Sequence, residues 1–273
     1  MDPTELLSIH DFAEYTGMKQ SILRHYDDID LFSPIFRAEN GYRYYAPTQI
    51  ITLNMVSVLC DLRTVLREIS ELQRDRNPEA ILEHLENQEE KFDLEMRRLQ
   101  ESYAISHMYR RLIRTGLSAD EKAITECDMP EIPIYVGSET KFEKTTLFYK
   151  DFITFCQEAR KKNINLSYPI GGGYHNMDLF FQAPAQPQFF FSMDPHGCRQ
   201  KEAGHYLIGY TRGYYGEMGD LPDRLAAYAK EHNLIFNGPA YILYVLDEVS
   251  IKDPDQYLGQ ISVQVKKKST RYS

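Results

Sequence analysis

The chain has 273 residues, 42% of them hydrophobic, which is long enough for two domains that each bury a core. Its 31 Lys and Arg stand against 40 Asp and Glu, and the net charge of -9 excludes a broadly basic surface for nucleic acid or an anionic membrane. No long apolar run is present, and four scattered cysteines lack histidine partners, so we expect a cytoplasmic protein with reduced thiols, no membrane span, no metal and no cofactor.

Two short helices are predicted at the start of the chain. Ser8 opens a capping-box pattern ahead of an apolar helix that Gly17 ends. A second helix is predicted over residues 18–28, with Ile22 and Leu23 facing inward. This spacing is typical of a helix-turn-helix motif, whose second helix enters the major groove of DNA. The side chains predicted to lie on the outer face of that helix are Lys19, Gln20, Ser21 and Arg24.

A β-hairpin is predicted next, because an Asn40-Gly41 turn joins two short aromatic strands within residues 36–45, named the wing below. Arg43 lies between Tyr42 and Tyr44, so it can place a charge-assisted hydrogen bond on a phosphate while the phenol rings pack beside the sugars. A hairpin that only packs on the core is equally compatible with these residues.

One long helix is predicted from Asn77, which can cap it, to about residue 115, with Pro78 in its first turn. A heptad repeat runs along it, and its apolar seam predicts an antiparallel coiled coil between two copies of the chain. A helix that packs on its own chain is the alternative. The a positions are Leu82, Glu89, Met96, Tyr103 and Arg110, and the d positions are Leu85, Phe92, Leu99, Ser106 and Ile113.

The remaining segment is rich in aromatic residues, since 23 of the 34 Tyr and Phe follow Met129. It carries a weak internal duplication, in which a strand, an amphipathic helix and a second strand occur twice. The second strands are predicted to begin near Gly173 and Ala240. Two such halves would pair about a pseudo-twofold axis and leave a cleft, which is a common position for a small-molecule site.

Three motifs in the first 75 residues resemble the signature of the MerR family of bacterial transcription regulators. They are Leu23-Arg24-His25-Tyr26-Asp27, Asp30-Leu31-Phe32-Ser33-Pro34 and Gly41-Tyr42-Arg43-Tyr44-Tyr45. The rest of the chain, with Gly238-Pro239-Ala240-Tyr241 and Leu246-Asp247-Glu248, resembles the gyrase-inhibitor-like effector domain of the multidrug-responsive branch. The resemblance implies a DNA-binding domain at residues 1–75, a dimerisation helix at 76–116 and an effector-binding domain at 117–273. The expected fold class is a multi-domain α/β (α+β) protein with a winged helix-turn-helix, a long helix and an antiparallel sheet.

The resemblance also implies a homodimer on double-stranded promoter DNA, which activates transcription of a multidrug efflux gene. The effector would act on RNA polymerase indirectly, by changing a DNA distortion that costs a few kcal/mol. The DNA-contact residues expected from this resemblance and from the helix-turn-helix pattern are Lys19, Gln20, Ser21, Arg24, His25 and Tyr26 on the second helix and Tyr42, Arg43 and Tyr44 on the wing.

Drug-sensing members of the family carry an acidic residue after a tyrosine in their last Tyr-containing strand, where it attracts lipophilic cations. Ile242 follows Tyr241 here, so we expect an aromatic cavity for flat, largely neutral ligands. Strand alternation separates Tyr241 from Ile242 and Tyr244, and the sequence leaves open which face lines the cavity. The predicted ligand-contact residues are Tyr149, Tyr168, Tyr206, Tyr241, Ile242 and Tyr244.

Hydrolysis is an alternative function, because some gyrase-inhibitor-like domains hydrolyse small molecules with an acidic residue in the cleft. Ile242 argues against it, and Asp247 with Glu248 are expected to be solvated or capping, so no catalytic residue is predicted. The run Gly171-Gly172-Gly173 lacks the Lys and Ser or Thr of a phosphate loop and is expected to be a turn. A regulator whose effector domain binds no ligand is a third alternative.

Overall fold

A computed structural model describes residues 5–75, 77–140 and 148–268 of the chain. Contacts divide the chain into two compact units, Met1–Leu99 and Gln100–Ser273, and each unit is described by itself below. The division falls within one long helix, Pro78–Ser118. The three domain boundaries expected from the sequence stay a prediction, and their outermost residues, 1–4 and 269–273, lie outside the described residues.

The first unit combines short helices with a small antiparallel sheet. Its elements in chain order are β1 (Leu7–Ser8), α1 (Ile9–Thr16), α2 (Gln20–Asp28), β2 (Phe36–Arg37), β3 (Arg43–Tyr45), α3 (Gln49–Asp61) and α4 (Leu66–Asp75), followed by the start of α5 (Pro78–Ser118). The three strands lie in the order β1-β3-β2. Because β2 and β3 pair within the wing, the predicted hairpin is confirmed, and β1 extends it by one strand.

The helix pair follows local signals in the sequence. The Ser8 hydroxyl accepts a hydrogen bond from the Asp11 backbone N at 3.2 Å, which confirms Ser8 as the N-cap, and it donates one to the Asp11 carboxylate at 2.7 Å. Gly17 closes α1 with a φ of +69°, a conformation that L side chains rarely adopt. α2 begins at Gln20 rather than at Met18, because the Lys19 backbone is extended and its carbonyl accepts the first helical hydrogen bonds.

Stacked rings form the centre of the first unit's core. Phe12, Phe32 and Tyr45 lie with ring centroids 4.5 to 5.9 Å apart, and Leu23 is fully buried beside them. Ile22 is 36% exposed, so the prediction that it faces inward is wrong. Since neighbouring helical residues are about 100° apart, the face of α2 that buries Leu23 turns Ile22 toward solvent.

The long helix α5 begins where the sequence predicts. The Asn77 side chain accepts hydrogen bonds from the backbone N atoms of Glu79 and Ala80 at 2.9 and 3.2 Å, and the helix continues to Ser118, slightly beyond the predicted end. Several apolar residues at the predicted a and d positions are exposed to solvent in the single chain. The exposed ones are Leu82, Phe92, Met96, Leu99 and Tyr103.

The second unit is built on one curled sheet. Its remaining elements are β4 (Ile124–Met129), β5 (Ile132–Glu139), α6 (Phe148–Lys161), β6 (Ile170–Tyr174), α7 (Met177–Gln182), β7 (Phe189–Ser192), β8 (Arg199–Lys201), β9 (Gly204–Arg212), α8 (Leu221–Glu231), β10 (Leu234–Leu246) and β11 (Leu258–Lys267). Within the described ranges the sheet has eight strands in the order β4-β9-β11-β10-β6-β7-β5-β8, and every neighbouring pair is antiparallel. The α+β fold class with an antiparallel sheet is therefore confirmed.

The strand order is symmetric about the pair β6 and β10. Reading outward, β6-β7-β5-β8 on one side corresponds to β10-β11-β9-β4 on the other, and α6 and α8 occupy equivalent positions along the chain. This symmetry confirms the internal duplication. The second strands differ from the prediction, since β6 ends at Tyr174 rather than beginning there and β10 begins at Leu234, ahead of Ala240.

The glycine run at residues 171–173 lies inside β6 and pairs with residues 241–243 of β10, so the prediction of a turn is wrong. A Cβ added at Gly171 would overlap the Ile242 carbonyl and the Phe191 ring, and one added at Gly173 would overlap the Phe189 ring. The glycines therefore allow rings and backbone to approach this strand more closely than side chains would permit.

No helix within the described ranges is long and apolar enough to cross a membrane. No group of three or more His, Cys, Asp or Glu side chains in the same ranges is placed to hold a metal ion. All four cysteines are free thiols, and Cys198 is exposed while the other three are half-buried.

Candidate DNA-contact surface and ligand cavity

The outer face of α2 presents four of the predicted DNA-contact residues to solvent. Lys19, Ser21, Arg24 and His25 are exposed. Gln20 is half-buried, and its side-chain amide oxygen accepts a hydrogen bond from Arg24 Nη2 at 3.4 Å. This helix face therefore offers cationic and polar groups of the kind that contact phosphates and base edges.

Tyr26 lies apart from these residues. Its ring is half-buried between two apolar clusters of the first unit, and its hydroxyl lies 3.8 Å from Cys60 Sγ on α3. Burial raises the pKa of Tyr26, and the neighbouring Cys60 adds to the shift. The structure thus places Tyr26 as a packing residue between α2 and α3, while its predicted DNA contact stays a prediction.

The wing is attached to α2 by a buried carboxylate. The Asp27 side chain is 0% exposed and accepts from Arg37 Nη2 at 2.5 Å and from Arg43 Nε at 2.6 Å, and Asp28 lies 3.4 Å from Arg43 Nη2. The hydrogen bond to Asp27 raises the pKa of Arg43 above its usual value. Arg43 keeps 20% of its side chain exposed and holds the wing against α2, and its predicted DNA contact stays a prediction.

The other two wing residues differ in exposure. Tyr42 is exposed at the turn, whereas Tyr44 is half-buried and its ring lies 6.0 Å from that of Phe36. Asp27 was missed by the sequence analysis, although it follows Leu23 by one helical turn on the inward face of α2. Its position, a charged residue on the buried face of an amphipathic helix, could have indicated a buried ion pair.

The second unit contains a cavity of about 650 Å³, named the larger cavity, on one face of β6 and β10. Tyr109 of α5 closes one side of it, and Asp247 and Glu248 lie where β10 ends. Its volume lies in the range of sites that hold drug-sized ligands. The aromatic side chains that line it are Tyr109, Tyr149, Phe152, Tyr168, Tyr174, Phe190, Tyr214, Tyr215, Tyr244 and Tyr257.

The structure brings together four of the six predicted ligand-contact residues. Tyr149, Tyr168, Ile242 and Tyr244 line the larger cavity, and their contact with a ligand stays a prediction. Tyr206 and Tyr241 do not reach it and instead line a smaller cavity of about 310 Å³. Because successive side chains of a strand point to opposite faces, Tyr241 and Ile242 belong to different cavities.

A glycine-rich loop between β9 and α8 covers part of the larger cavity. Gly213, Gly216 and Gly219 all have positive φ angles, and the Gly216 backbone N donates to Tyr244 Oη at 3.0 Å. Tyr214 Oη lies 2.7 Å from Tyr149 Oη on α6. The loop is therefore tied to both halves of the duplicated domain by tyrosine hydroxyls.

Two carboxylates, those of Asp247 and Glu248 at the end of β10, line the larger cavity. Burial raises the pKa of Asp247, and the Tyr215 hydroxyl donates a hydrogen bond to the Glu248 carboxylate. Burial also raises the pKa of Tyr109, and the charges of Asp247 and Glu248 add to that shift. The Asp247 carboxylate also accepts a hydrogen bond from the Val249 backbone N at 3.1 Å and Glu248 is exposed, so the expectation of capping and solvated carboxylates is met, and the sequence did not indicate that both also line the larger cavity.

Comparison with known proteins gives consistent similarities. Residues 7–75 match the family model described as MerR HTH family regulatory protein. The chain is 24% identical to the multidrug-efflux transporter 2 regulator of Bacillus subtilis over 97% of this chain and 98% of that protein. It is 41% identical to the transcriptional regulator BrlR of Pseudomonas aeruginosa over 71 residues, 26% of each chain. The solved structure of EcmrR with DNA aligns over 96% of this chain and 100% of that one, with 16% identity and a TM-score of 0.40.

Proposed function

We propose that the chain is a transcription regulator of the MerR family, which binds promoter DNA as a homodimer and changes transcription when an aromatic small molecule occupies the larger cavity. The first unit supplies the DNA contacts and the second unit binds the effector. In this proposal the protein is cytoplasmic and activates transcription of a gene for a multidrug efflux transporter. RNA polymerase is an indirect partner.

DNA binding is supported by the exposed face of α2. Lys19, Arg24 and His25 point away from the core of the first unit, and Tyr42 is exposed on the wing that Asp27 holds in place. Since residues 1–70 hold 6 Lys or Arg against 10 Asp or Glu, affinity depends on these local contacts and falls steeply with salt.

Dimerisation is supported by α5. Leu82, Met96 and Leu99 are exposed in the single chain at positions of one heptad seam. The same seam carries Glu89 near one end and Arg110 near the other, so an antiparallel partner would bring opposite charges together. We therefore propose that an antiparallel coiled coil covers this seam.

The observation that carries the proposed effector response is the position of Tyr109. This side chain lines the larger cavity, and it belongs to the helix that begins at Pro78 in the first unit. A ligand in the cavity therefore contacts an element whose other end belongs to the DNA-binding part of the chain. A ligand that prefers one position of this helix shifts the equilibrium toward that position.

The ligand class follows from the cavity wall. Aromatic rings favour flat apolar molecules, and each ring face that meets a cation adds about 0.5 to 2 kcal/mol. Asp247 and Glu248 supply the negative charge that Ile242 does not, so we propose lipophilic aromatic cations in preference to neutral compounds. This revises the ligand charge expected from the sequence.

Hydrolysis is not favoured as a second function. The strand position after Tyr241 is apolar, and the Glu248 carboxylate accepts a hydrogen bond from Tyr215. We therefore propose that the larger cavity binds its ligand without catalysing a reaction. Incubation of the protein with aryl esters should give no hydrolysis above the rate of the buffer, and turnover that Glu248→Gln removes would overturn this part of the proposal.

Footprinting of the purified protein on its own upstream DNA, with and without tetraphenylphosphonium, tests the proposed function. We expect protection of a palindromic site in both states and a changed cleavage pattern at its centre when the cation is present. Triphenylphosphine oxide, a neutral compound of similar shape, is the matched control. Failure to protect any upstream site at low salt would overturn the DNA-binding role, and an unchanged footprint at saturating cation would overturn the effector role.

A further inference from the structure

The loop between α6 and β6, residues 162–169, forms part of the wall of the larger cavity and is named the wall loop. Leu166 and Tyr168 of this loop line the cavity, and Tyr168 is 3% exposed. Asn165 precedes them and is half-buried. A ligand in the larger cavity therefore meets the wall loop as well as Tyr109 of α5.

The cavity-lining part of the wall loop is a compact turn. The Ser167 backbone N donates to Asn165 Oδ1 at 2.9 Å, and the Tyr168 backbone N donates to the Asn165 carbonyl oxygen at 3.3 Å. An asparagine side chain that bonds the backbone two residues further on mimics a backbone turn and holds the segment in one shape. A displacement of Tyr168 is therefore passed to Asn165.

A buried carboxylate anchors this turn at one point. Asp194 is 0% exposed, and it accepts hydrogen bonds from the Asn165 backbone N at 2.6 Å and from the His196 backbone N at 2.8 Å. A carboxylate removed from water depends on such donors, so the Asn165 backbone stays bonded to it. The turn is thus free to rotate about this anchor but not to move away from it.

The Asn165 side chain connects the turn to the long helix. Its Nδ2 donates to Glu101 Oε1 of α5 at 2.9 Å, and a hydrogen bond to a charged acceptor is stronger than one between neutral groups. Glu101 precedes Tyr109 on α5 by about 12 Å along the helix axis. Two contacts separated in this way set both the position of a helix and its rotation about its own axis.

The electrostatics of Tyr168 show that these groups form one cluster. Burial raises the pKa of Tyr168, and the charges of Glu101 and Asp194 add to the shift. The cavity wall, its anchor and its contact with α5 therefore lie close together within the second unit.

We propose that Asn165 is a positioning residue, which couples occupancy of the larger cavity to α5 through its hydrogen bond to Glu101. This proposal rests on the proposed function, because it concerns the regulation of the same cavity. A ligand that displaces Tyr168 rotates the turn, and the bond from Asn165 transmits that rotation to the helix. The affinities for ligand and for DNA are then linked through this bond.

Calorimetric titration with tetraphenylphosphonium, using the full-length protein free and bound to its upstream DNA, tests the proposal. The ratio of the two affinities measures the coupling, which we expect to be about fivefold or more in the parent protein. Asn165→Asp keeps the oxygen that closes the turn but removes the donor to Glu101. We expect its ratio to fall to about one, while the free variant binds the cation within about threefold of the parent.

Further variants separate coupling from a merely structural role. Glu101→Ala removes the acceptor from the helix side, leaves the turn intact and should also bring the ratio to about one. Asn165→Asp combined with Glu101→Gln restores a hydrogen bond with donor and acceptor exchanged and should recover the parent ratio. Asn163→Asp makes the same change of charge at an exposed position of the wall loop and should leave the ratio unchanged.

The possible outcomes distinguish this proposal from the proposed function. A parent ratio of about one would overturn the effector role, and the present proposal with it. A coupled parent whose ratio persists in Asn165→Asp or in Glu101→Ala would overturn the role of Asn165 alone. Loss of cation binding by free Asn165→Asp would also contradict it, since Asn165 would then shape the cavity instead of transmitting its occupancy.

Discussion

The carboxylate of Asp27 on α2 and the guanidinium of Arg43 on the wing form a 2.6 Å hydrogen bond in which the acidic partner is completely buried. Arg37 completes the group from β2. A carboxylate removed from water in this way is stabilised only while its cationic partners remain in place. The pair therefore fixes the orientation of the wing relative to α2.

Removing the charge of Asp27 should destabilise the first unit. We expect Asp27→Asn to lower the free energy of unfolding by about 3 kcal/mol, since it leaves two arginines without their buried partner. Urea unfolding followed by circular dichroism measures the change. Asp28→Asn removes a carboxylate that is 66% exposed and should cost less than about 0.5 kcal/mol, so equal losses in the two variants would contradict the assignment.

DNA affinity should depend on the exposed residues of α2 more than on Tyr26. We expect Arg24→Ala to weaken binding to the upstream DNA by about tenfold and to reduce the slope of log affinity against log salt by about one. Fluorescence anisotropy across a salt series gives both quantities. Lys91→Ala, at an exposed position of α5, is the control, and a similar effect from it would indicate nonspecific charge loss.

The apolar seam of α5 should determine the oligomeric state. Leu99→Lys places a charge at an exposed d position, and we expect the variant to sediment as a monomer at concentrations where the parent protein is a dimer. Leu94→Lys changes an exposed leucine of α5 outside the a and d positions and should remain dimeric. A parent protein that sediments as a monomer would refute the coiled coil.

The carboxylates at the end of β10 should control selectivity for cations. Asp247→Asn with Glu248→Gln should weaken tetraphenylphosphonium binding by about tenfold and change triphenylphosphine oxide binding little. Asp223→Asn, an exposed position on α8, is the control. Because burial raises the pKa of Asp247, cation affinity should fall on acidification at a higher pH than an exposed aspartate would give. Equal loss of both ligands would contradict an electrostatic role.

Lys201 should make the free energy of unfolding rise with pH in the alkaline range. Its folded-state pKa of about 8 lies below the usual 10.5, so between these values the unfolded chain binds more protons and stability rises with pH. The difference corresponds to roughly 3 kcal/mol of cost at neutral pH, which Lys201→Met should recover. Urea unfolding at about pH 7 and about pH 9.5 tests this sign, with Lys266→Met as the control. A Lys201→Met variant less stable than the parent at neutral pH would contradict it.

The features that were predicted from the sequence are mainly local ones. Ser8, Gly17 and Asn77 each act on backbone groups within a few residues, so their caps can be read without knowledge of the fold. The repeated strand-helix-strand pattern likewise predicted the internal duplication that the symmetric strand order shows. Element type and order therefore followed from periodicity and capping.

The features that were missed depend on partners distant in sequence. Asp27 meets Arg43 across 16 residues, and Lys201 meets Ser262 across 61. The glycine run was expected to form a turn because its place inside β6 depends on rings from β7. The contact of Glu248 with Tyr215 could not be foreseen because the direction of the chain after β10 is set by the tertiary fold. Pattern and propensity carry no information about such contacts.

The placement of Tyr241 and Ile242 on consecutive residues means that the two cavities are separated by a partition one strand thick. An occupant that displaces β10 on one side must displace it on the other, since both surfaces belong to the same backbone. Thermodynamic linkage then requires that each occupant alter the affinity of the other by an equal factor. In a chain with this partition, a change of packing in one cavity is passed to the other through a single strand.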